Sequence, residues 1–285
     1  MVTDLPFKVQ SFSKCYQEAT KIWRMNIGIP DDLDKIKNDA YLAIRYFTGM
    51  VHERAGASPN FSKYHRLAIK EALKGRSFSG VILHDENFPG NVWERFVELT
   101  DKRPNEKLTR GVIKELLEKL RREREPNVVK LLGDMKVLAA NQFLRSLRGI
   151  GPKISALVLR DLEFFFKFWT DELESEPQNY YLLQPVDRWV RRISELCWSD
   201  LNLPDSHDSA AKLVVKKCLN SRIDPIRFNQ GAWFIGRYFN QLLLFHGLPE
   251  QSLNRHSIEM FNAEKVMDGI INFEEIASQK FIFVI

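Results

Sequence analysis

The chain has 285 residues, of which 44% are hydrophobic and 28% are charged, with 14 glycines and 12 prolines. This composition excludes a disordered, fibrous or low-complexity protein. No apolar run exceeds five residues, far short of the roughly 18 that a membrane-spanning helix needs. The net charge of +5 permits nucleic-acid binding without requiring it.

The first residues lack the apolar segment of a secretory signal. Three cysteines, Cys15, Cys197 and Cys218, are too few and too scattered for a disulfide framework or an iron–sulfur cluster. No motif has the spacing of metal ligands. We therefore expect a globular protein without a metal and without membrane association, located in the cytoplasm (with the nucleoid in a prokaryote) or in the nucleus.

Hydrophobic residues recur at helical spacing through most of the chain. The first clear stripe is Ile36, Ala40, Ala43, Phe47 and Met50, and the second is Val112, Ile113, Leu116, Leu117 and Leu120. Only Gly80–Leu83 and Phe281–Ile285 have the character of strands. The pattern predicts an all-α protein.

Two helices are predicted around a glycine-rich turn, Leu-Arg-Gly-Ile-Gly-Pro-Lys at 147–153. The first covers 136–147 and the second has an apolar face from Ile154 to Phe165. We expect Ile150 to fill the core while the two glycines allow unusual φ angles and a close approach to a partner. The free N–H groups that begin the second helix favour a phosphate. Four bases and no acid occur between Arg145 and Arg160.

Downstream, Thr170–Gln184 is predicted as a long loop, and Asp187 as the N-cap of an amphipathic helix. Asp224 and Pro225 are predicted to begin a further helix, which ends near His246. On that helix Trp233 lies among polar neighbours. We expect it to stack against an extruded base, with Gly236 one turn on leaving room; the alternative is a tryptophan that packs against a neighbouring lobe.

Three segments, in this order, resemble the helix–hairpin–helix–GPD superfamily of DNA glycosylases. They are the turn at 147–153, Pro-Val-Asp at 185–187, and Phe-Asn-Gln-Gly-Ala-Trp-Phe-Ile-Gly at 228–236. Lys153 and Asp187 are 34 residues apart, whereas fewer than twenty is usual. With this long separation and no cluster cysteines, the chain is most similar to the archaeal-type 8-oxoguanine DNA glycosylases.

The resemblance implies two helical lobes with the active-site cleft between them. One lobe is residues 30–165, ending in the helix–hairpin–helix motif at 136–165, and the other is 1–29 with 166–285. The implied residues are Lys153 and Asp187 for catalysis, Arg148, Gly149, Gly151 and Arg191 for the DNA backbone, and Trp233 and Asn229 for the damaged base. The implied partner is double-stranded DNA containing a damaged base, bound by a monomer. No cofactor is expected, with a monovalent cation at the hairpin carbonyls as an option.

The residues leave three functions open. In the first, Lys153 attacks C1′ of a nucleotide, which requires a neutral amine; the helix N-terminus and Arg148 repel a further positive charge there. Asp187 is then suited to stabilise a cationic sugar, and the resemblance implies a base-excision repair glycosylase with AP lyase activity that removes an oxidised purine, 8-oxoguanine above all. The second is a monofunctional glycosylase of other damaged bases, which uses Asp187 and water. The third is a non-catalytic helix–hairpin–helix DNA-binding protein.

Overall fold

The computed structural model describes residues 5–54, 59–100, 111–246 and 253–267, and every element assigned within them is a helix. The prediction of an all-α protein is confirmed for this part of the chain. The predicted strand Gly80–Leu83 is wrong, because it lies inside the helix Phe78–His84, whose Phe78, Val81 and Ile82 are buried at i, i+3 and i+4. The other predicted strand, Phe281–Ile285, lies outside the described residues.

The elements follow one another along the chain with short connections. In the first half they are α1 (Leu5–Ser11), α2 (Ser13–Asn26), α3 (Leu33–Asn38), α4 (Ala40–Gly49), a π-helix (Met50–Arg54), α5 (Pro59–Leu73), α6 (Phe78–His84), α7 (Phe88–Leu99), a second π-helix (Gly111–Glu115), α8 (Leu116–Glu123), α9 (Val128–Gly133) and α10 (Val137–Arg145). In the second half they are α11 (Pro152–Phe166), α12 (Thr170–Ser175), a 3₁₀ helix (Pro177–Leu183), α13 (Arg188–Cys197), α14 (His207–Asn220), α15 (Pro225–His246) and α16 (Arg255–Met260).

Short polar side chains begin several of these helices by accepting their first backbone N–H groups. Asp39 accepts from the first turn of α4 at 2.8 and 3.0 Å, and Asn127 from the first turn of α9 at 3.0 Å. Asp224 accepts from Ile226 N at 2.8 Å. The predicted start of α15 at Asp224 and Pro225 is confirmed.

The chain divides into two compact units. Of the described residues, those from 24 to 176 form the middle unit, and those of 5–23 and 177–267 form the terminal unit. These boundaries differ from the predicted ones at 29/30 and 165/166. The middle unit extends further because the Glu163 carboxylate accepts from Trp169 N and Thr170 Oγ1, both at 2.6 Å, and the Trp169 indole donates to Met135 O at 2.7 Å.

The predicted loop at Thr170–Gln184 is therefore also wrong. Its acidic half forms α12, in which Leu173 is buried and Glu172 accepts from Val137 N at 3.1 Å. Its second half forms the 3₁₀ helix, with Leu182 and Leu183 buried. The segment was predicted as a loop because both helices are too short to show a hydrophobic period.

The core of the terminal unit depends on two close approaches to α15. A Cβ atom added at Gly231 would lie 1.9 Å from the Val9 carbonyl oxygen of α1, and one added at Gly236 would lie 2.4 Å from Trp189 Cβ of α13. Because no side chain fits at either glycine, α1 and α13 pack directly on the α15 backbone. This packing fixes α13, and with it Asp187, against the helix that carries Trp233.

Candidate functional site

The glycine-rich turn lies between α10 and α11, in the middle unit. Gly149 has a φ of 90°, in the left-handed region that favours glycine, and Ile150 is buried. Gly151 is extended, and α11 begins at Pro152. A buried amide-to-hydroxyl bond, Asn141 Nδ2 to Ser155 Oγ at 3.0 Å, joins the two helices. The predictions that Ile150 fills the core and that Gly149 has an unusual φ are confirmed, whereas the same prediction for Gly151 is wrong, because its φ of −85° is open to any residue.

The second π-helix holds the turn from outside. A Cβ added at Gly111 would lie 1.9 Å from the Arg148 carbonyl oxygen, so the two backbones are in direct contact. The Glu115 carboxylate accepts from Arg148 N at 3.1 Å and lies 3.4 Å from its guanidinium Nε. Glu115 therefore orients the turn and neutralises part of the Arg148 charge.

The start of α11 is open to an anion. Lys153 and Gly151 are exposed, and the described residues supply no acceptor for the backbone N–H groups of Lys153 and Ile154. Such unpaired N–H groups, at the positive end of a helix, attract phosphate. Arg148 is also exposed, whereas Arg160 is fully buried and paired with Asp161 at 2.9 Å. Arg160 therefore does not belong to this basic surface, although the sequence counts it there.

Asp187 lies in the terminal unit and Lys153 in the middle unit, so the two residues belong to separate bodies. Asp187 is the N-cap of α13, as predicted: its Oδ1 accepts from Trp189 N at 2.9 Å and from Val190 N at 3.0 Å. Its Oδ2 makes no hydrogen bond with any described residue. The carboxylate is half-buried, held at one oxygen and open at the other.

One face of α15 brings polar groups together in the terminal unit. Asn229, Trp233 and Arg237 follow at i, i+4 and i+8. Asn229 is fully buried, Trp233 is half-buried, and the Arg237 guanidinium lies 6.0 Å from the Trp233 ring centroid. Burial lowers the pKa of Arg237, and the charge of Asp187 opposes that shift. Arg237, which the sequence pattern places on the same polar stripe without a predicted role, is thus a further member of this face.

The expectation of open space at Gly236 is wrong: the space is filled by Trp189, so it leaves no room for a base. The guanidinium of Arg191, predicted to contact the DNA backbone, donates to the carbonyl oxygens of Leu203, Pro204 and Asp205 at 3.3, 2.7 and 3.1 Å. Its physical role is to tie the loop after α13 to that helix.

Trp233 also makes a packing contact. Its ring meets Tyr16 edge to face, with centroids 5.6 Å apart and an interplanar angle of 88°, and it borders the hydrophobic core of the terminal unit. This contact supports the packing alternative. Stacking of a base on Trp233 then requires a part of the indole that neither Tyr16 nor the Arg237 guanidinium covers.

The sequence pattern does not indicate a functional role for Gln184 or Gln230. Both are fully buried, and none of their amide atoms has a hydrogen-bond partner among the described residues. Gln184 lies three residues before Asp187, and Gln230 three residues before Trp233 on α15. An unpaired buried amide costs about 1–3 kcal/mol, so such groups indicate a missing hydrogen-bond partner. Nothing in the local sequence pattern marks them as buried.

Within the described residues, no group of three or more histidine, cysteine, aspartate or glutamate side chains could hold a metal ion. In the same part of the chain, no helix combines the length and the apolar character that crossing a membrane requires. At the turn, the carbonyl oxygens of Leu147 and Gly151 already accept from Ile150 N and Ser155 N. A monovalent cation there would share carbonyls that are bonded already.

Comparisons with protein-family models, with curated proteins and with solved structures found no match in any of the three.

Proposed function

We propose that the protein is a DNA glycosylase with AP lyase activity that removes an oxidised purine, 8-oxoguanine, from double-stranded DNA. One observation carries the proposal: an exposed lysine, Lys153, stands in the first turn of the helix that follows a tight glycine hairpin with unpaired N–H groups. A phosphate held at those N–H groups brings a nucleotide beside the amine. The Pro-Val-Asp and Phe-Asn-Gln segments support the proposal by resemblance.

The proposed reaction begins with extrusion of the damaged nucleotide from the duplex. The Lys153 amine forms a bond to C1′ while the bond from C1′ to the base breaks, and the base leaves with the electron pair and a proton. Asp187 stabilises the positive charge that develops on the sugar. Ring opening then gives a Schiff base, loss of a C2′ proton expels the 3′ phosphate, and water releases the lysine. No step passes through a metal ion.

Borohydride trapping tests the proposal. The protein is mixed with duplex DNA containing either 8-oxoguanine or an abasic site, and the Schiff base is reduced to a stable covalent adduct. Adducts on both substrates support the glycosylase–lyase. Release of a base without an adduct supports a monofunctional glycosylase, and binding without either reaction supports a non-catalytic DNA-binding protein.

The hairpin contact predicts the effect of Gly151→Ala. A Cβ added at Gly151 meets no atom within 4 Å, and the φ of −85° suits alanine, so the folded protein accepts the methyl group. A phosphate at the adjacent N–H groups is pushed away. We expect DNA binding to weaken by about 5- to 30-fold, equally for all sequences and lesions, because phosphate contacts carry no sequence information.

The matched control for this measurement is Gly90→Ala, on α7, where an added Cβ is equally unobstructed. It is expected to leave the affinity unchanged in the same fluorescence-anisotropy titration. A loss of affinity confined to lesion-containing DNA, or no loss at all with Gly151→Ala, would contradict phosphate binding at the hairpin.

Stacking of the damaged base on Trp233 predicts a selective loss in Trp233→Ala. Base–aromatic stacking contributes about 1–3 kcal/mol, so release of 8-oxoguanine is expected to slow about 5- to 150-fold. Cleavage at a preformed abasic site needs no stacked base and is expected to persist. Trp233→Phe keeps a flat ring and should restore most of the base release. Equal damage to both activities together with a lower thermal midpoint would make Trp233 a packing residue against Tyr16.

A further inference from the structure

His207, the first residue of α14, is hydrogen-bonded to the segment that carries Asp187. The backbone N–H of Val186 donates to His207 Nε2 at 3.2 Å, and His207 Nδ1 lies 3.2 Å from Asp208 Oδ1. A backbone N–H can only donate, so Nε2 must carry the lone pair. The ring is therefore neutral, with its proton on Nδ1, where it donates to Asp208.

The bond from Val186 completes the restraint on Asp187. On its C-terminal side Asp187 is fixed by the two N–H groups of α13, and on its N-terminal side the chain is held one residue away, at Val186. The loop that leads to His207 is itself anchored, since Arg191 of α13 bonds its carbonyl groups at 203–205. The imidazole is therefore held in place, and its hydrogen bond from Val186 N–H fixes the position of the Asp187 segment.

We propose that His207, oriented by Asp208, is a positioning residue for Asp187 and makes the reaction sensitive to acid. This inference rests on the proposed function. When Nε2 takes up a proton it becomes a donor that faces the Val186 N–H, so the bond is lost and two N–H groups oppose each other. The Asp187 segment must then shift, and the step that depends on its carboxylate slows.

The charged and titratable groups on the elements around this ring have opposite effects on its protonation. Asp208, 3.2 Å from Nδ1, favours the protonated ring, as does the Asp187 carboxylate next to Val186 in the chain. The cations of the adjoining elements oppose it: Arg191 of α13, which bonds the carbonyl groups at 203–205, and Lys212, one turn further along α14. An imidazole ordinarily gains its charge near pH 6.5, within the range that a pH profile covers.

The test compares His207→Gln with His207→Phe in strand cleavage at a preformed abasic site from pH 5 to pH 8. The glutamine Oε1 can accept from Val186 N–H but does not titrate, whereas phenylalanine removes the acceptor. We expect His207→Gln to restore the wild-type rate within about threefold at pH 7.5. As the pH falls from 7.5 to 5, the ratio of its rate to the wild-type rate should rise at least about fivefold, because the wild-type ring gains a proton and loses the bond whereas glutamine does not titrate. His207→Phe should be at least about tenfold slower than His207→Gln at every pH, whereas its rate should approach that of the wild type at the acid end.

Several outcomes would overturn the assignment. If His207→Gln follows the wild-type pH profile, or His207→Phe cleaves at the wild-type rate at pH 7.5, His207 does not position Asp187; the glutamine profile decides the question even if the phenylalanine variant does not fold. His256→Gln, at an exposed histidine of α16, controls for non-specific effects. The ring tautomer is measured separately by ¹⁵N NMR. A wild-type protein without lyase activity overturns the proposed function, and the role of His207 in that reaction with it; an active protein with its His207 proton on Nε2 overturns the His207 assignment alone.

Discussion

Replacement of Lys153 by alanine is expected to abolish the borohydride-trapped adduct and to slow strand cleavage at an abasic site by on the order of 10³-fold or more. Without the amine no bond to C1′ forms, so no Schiff base exists to be reduced. Lys153 is exposed and makes no hydrogen bond or ion pair with the described residues. The thermal midpoint should therefore stay within about 2 °C of the wild type.

A second variant of Lys153 distinguishes its role as a nucleophile from its positive charge, and a variant of another exposed lysine is the control. Lys153→Arg keeps a cation beside the bound phosphate but cannot form a Schiff base, so DNA binding should persist while trapping is lost. Lys216→Ala removes an exposed lysine from α14 and should trap as well as the wild type. Normal trapping by Lys153→Ala would show that another amine is the nucleophile or that the reaction is not a lyase reaction.

The same trapping and cleavage assays test the role of the Asp187 carboxylate. Asparagine caps a helix about as well as aspartate, so Asp187→Asn preserves the bonds to Trp189 N and Val190 N. It removes only the negative charge. Slower base release and slower cleavage at an unchanged thermal midpoint are the expected result, and wild-type rates would leave Asp187 as an ordinary cap.

The helical class was predictable because hydrophobic periodicity is a local property. All residues of both predicted stripes are buried. The first stripe, however, runs through α3, α4 and the start of the first π-helix at Met50, and Asp39 ends α3 with its backbone N–H and begins α4 with its side chain. The period continues across such a break, so it does not reveal the break.

The turn and the cap of the candidate site were predictable for the same reason. A glycine with positive φ, a buried residue between two glycines and an N-cap aspartate depend on a few consecutive residues. Contacts between distant segments do not depend on consecutive residues. Trp189 covers Gly236, and the Arg191 guanidinium donates to three carbonyl groups. His207 and Val186 are likewise 21 residues apart in the chain. Contacts of this kind depend on tertiary packing, which one sequence does not specify.

Two buried histidines in the middle unit bear on the stability of the whole protein. His52, on the first π-helix, and His65, on α5, meet edge to face with ring centroids 5.7 Å apart. Phe61 and Phe96 border the pair. Neither Nε2 atom has a hydrogen-bond partner among the described residues. The described neighbours of the two rings are largely aromatic, and such surroundings disfavour a positive charge.

Burial lowers the pKa of His52 to about 4, with a further contribution from the charge of Arg66. Burial likewise lowers the pKa of His65 well below its ordinary value, and His52 and Arg66 add to the shift. In the unfolded chain both histidines take up protons near pH 6.5. Between pH 6.5 and about pH 4 the unfolded state therefore binds more protons than the folded state. Stability is fully present above this window and is lost as the pH falls through it.

The folded protein is accordingly expected to lose about 3–4 kcal/mol of stability between pH 7 and pH 5, about half from each histidine. This is a large part of the 5–15 kcal/mol that typical domains possess, so the thermal midpoint should fall by about 10 °C. Most carboxylates titrate below pH 5 and contribute little in this interval. His65→Phe places an uncharged ring beside Phe96 and should halve the pH dependence, whereas His256→Gln, at an exposed site, should leave it unchanged. Equal midpoints at pH 7 and pH 5, or an unaltered slope in His65→Phe, would mean that the folded protein accepts the protons, which requires that water or an acid reach the pair.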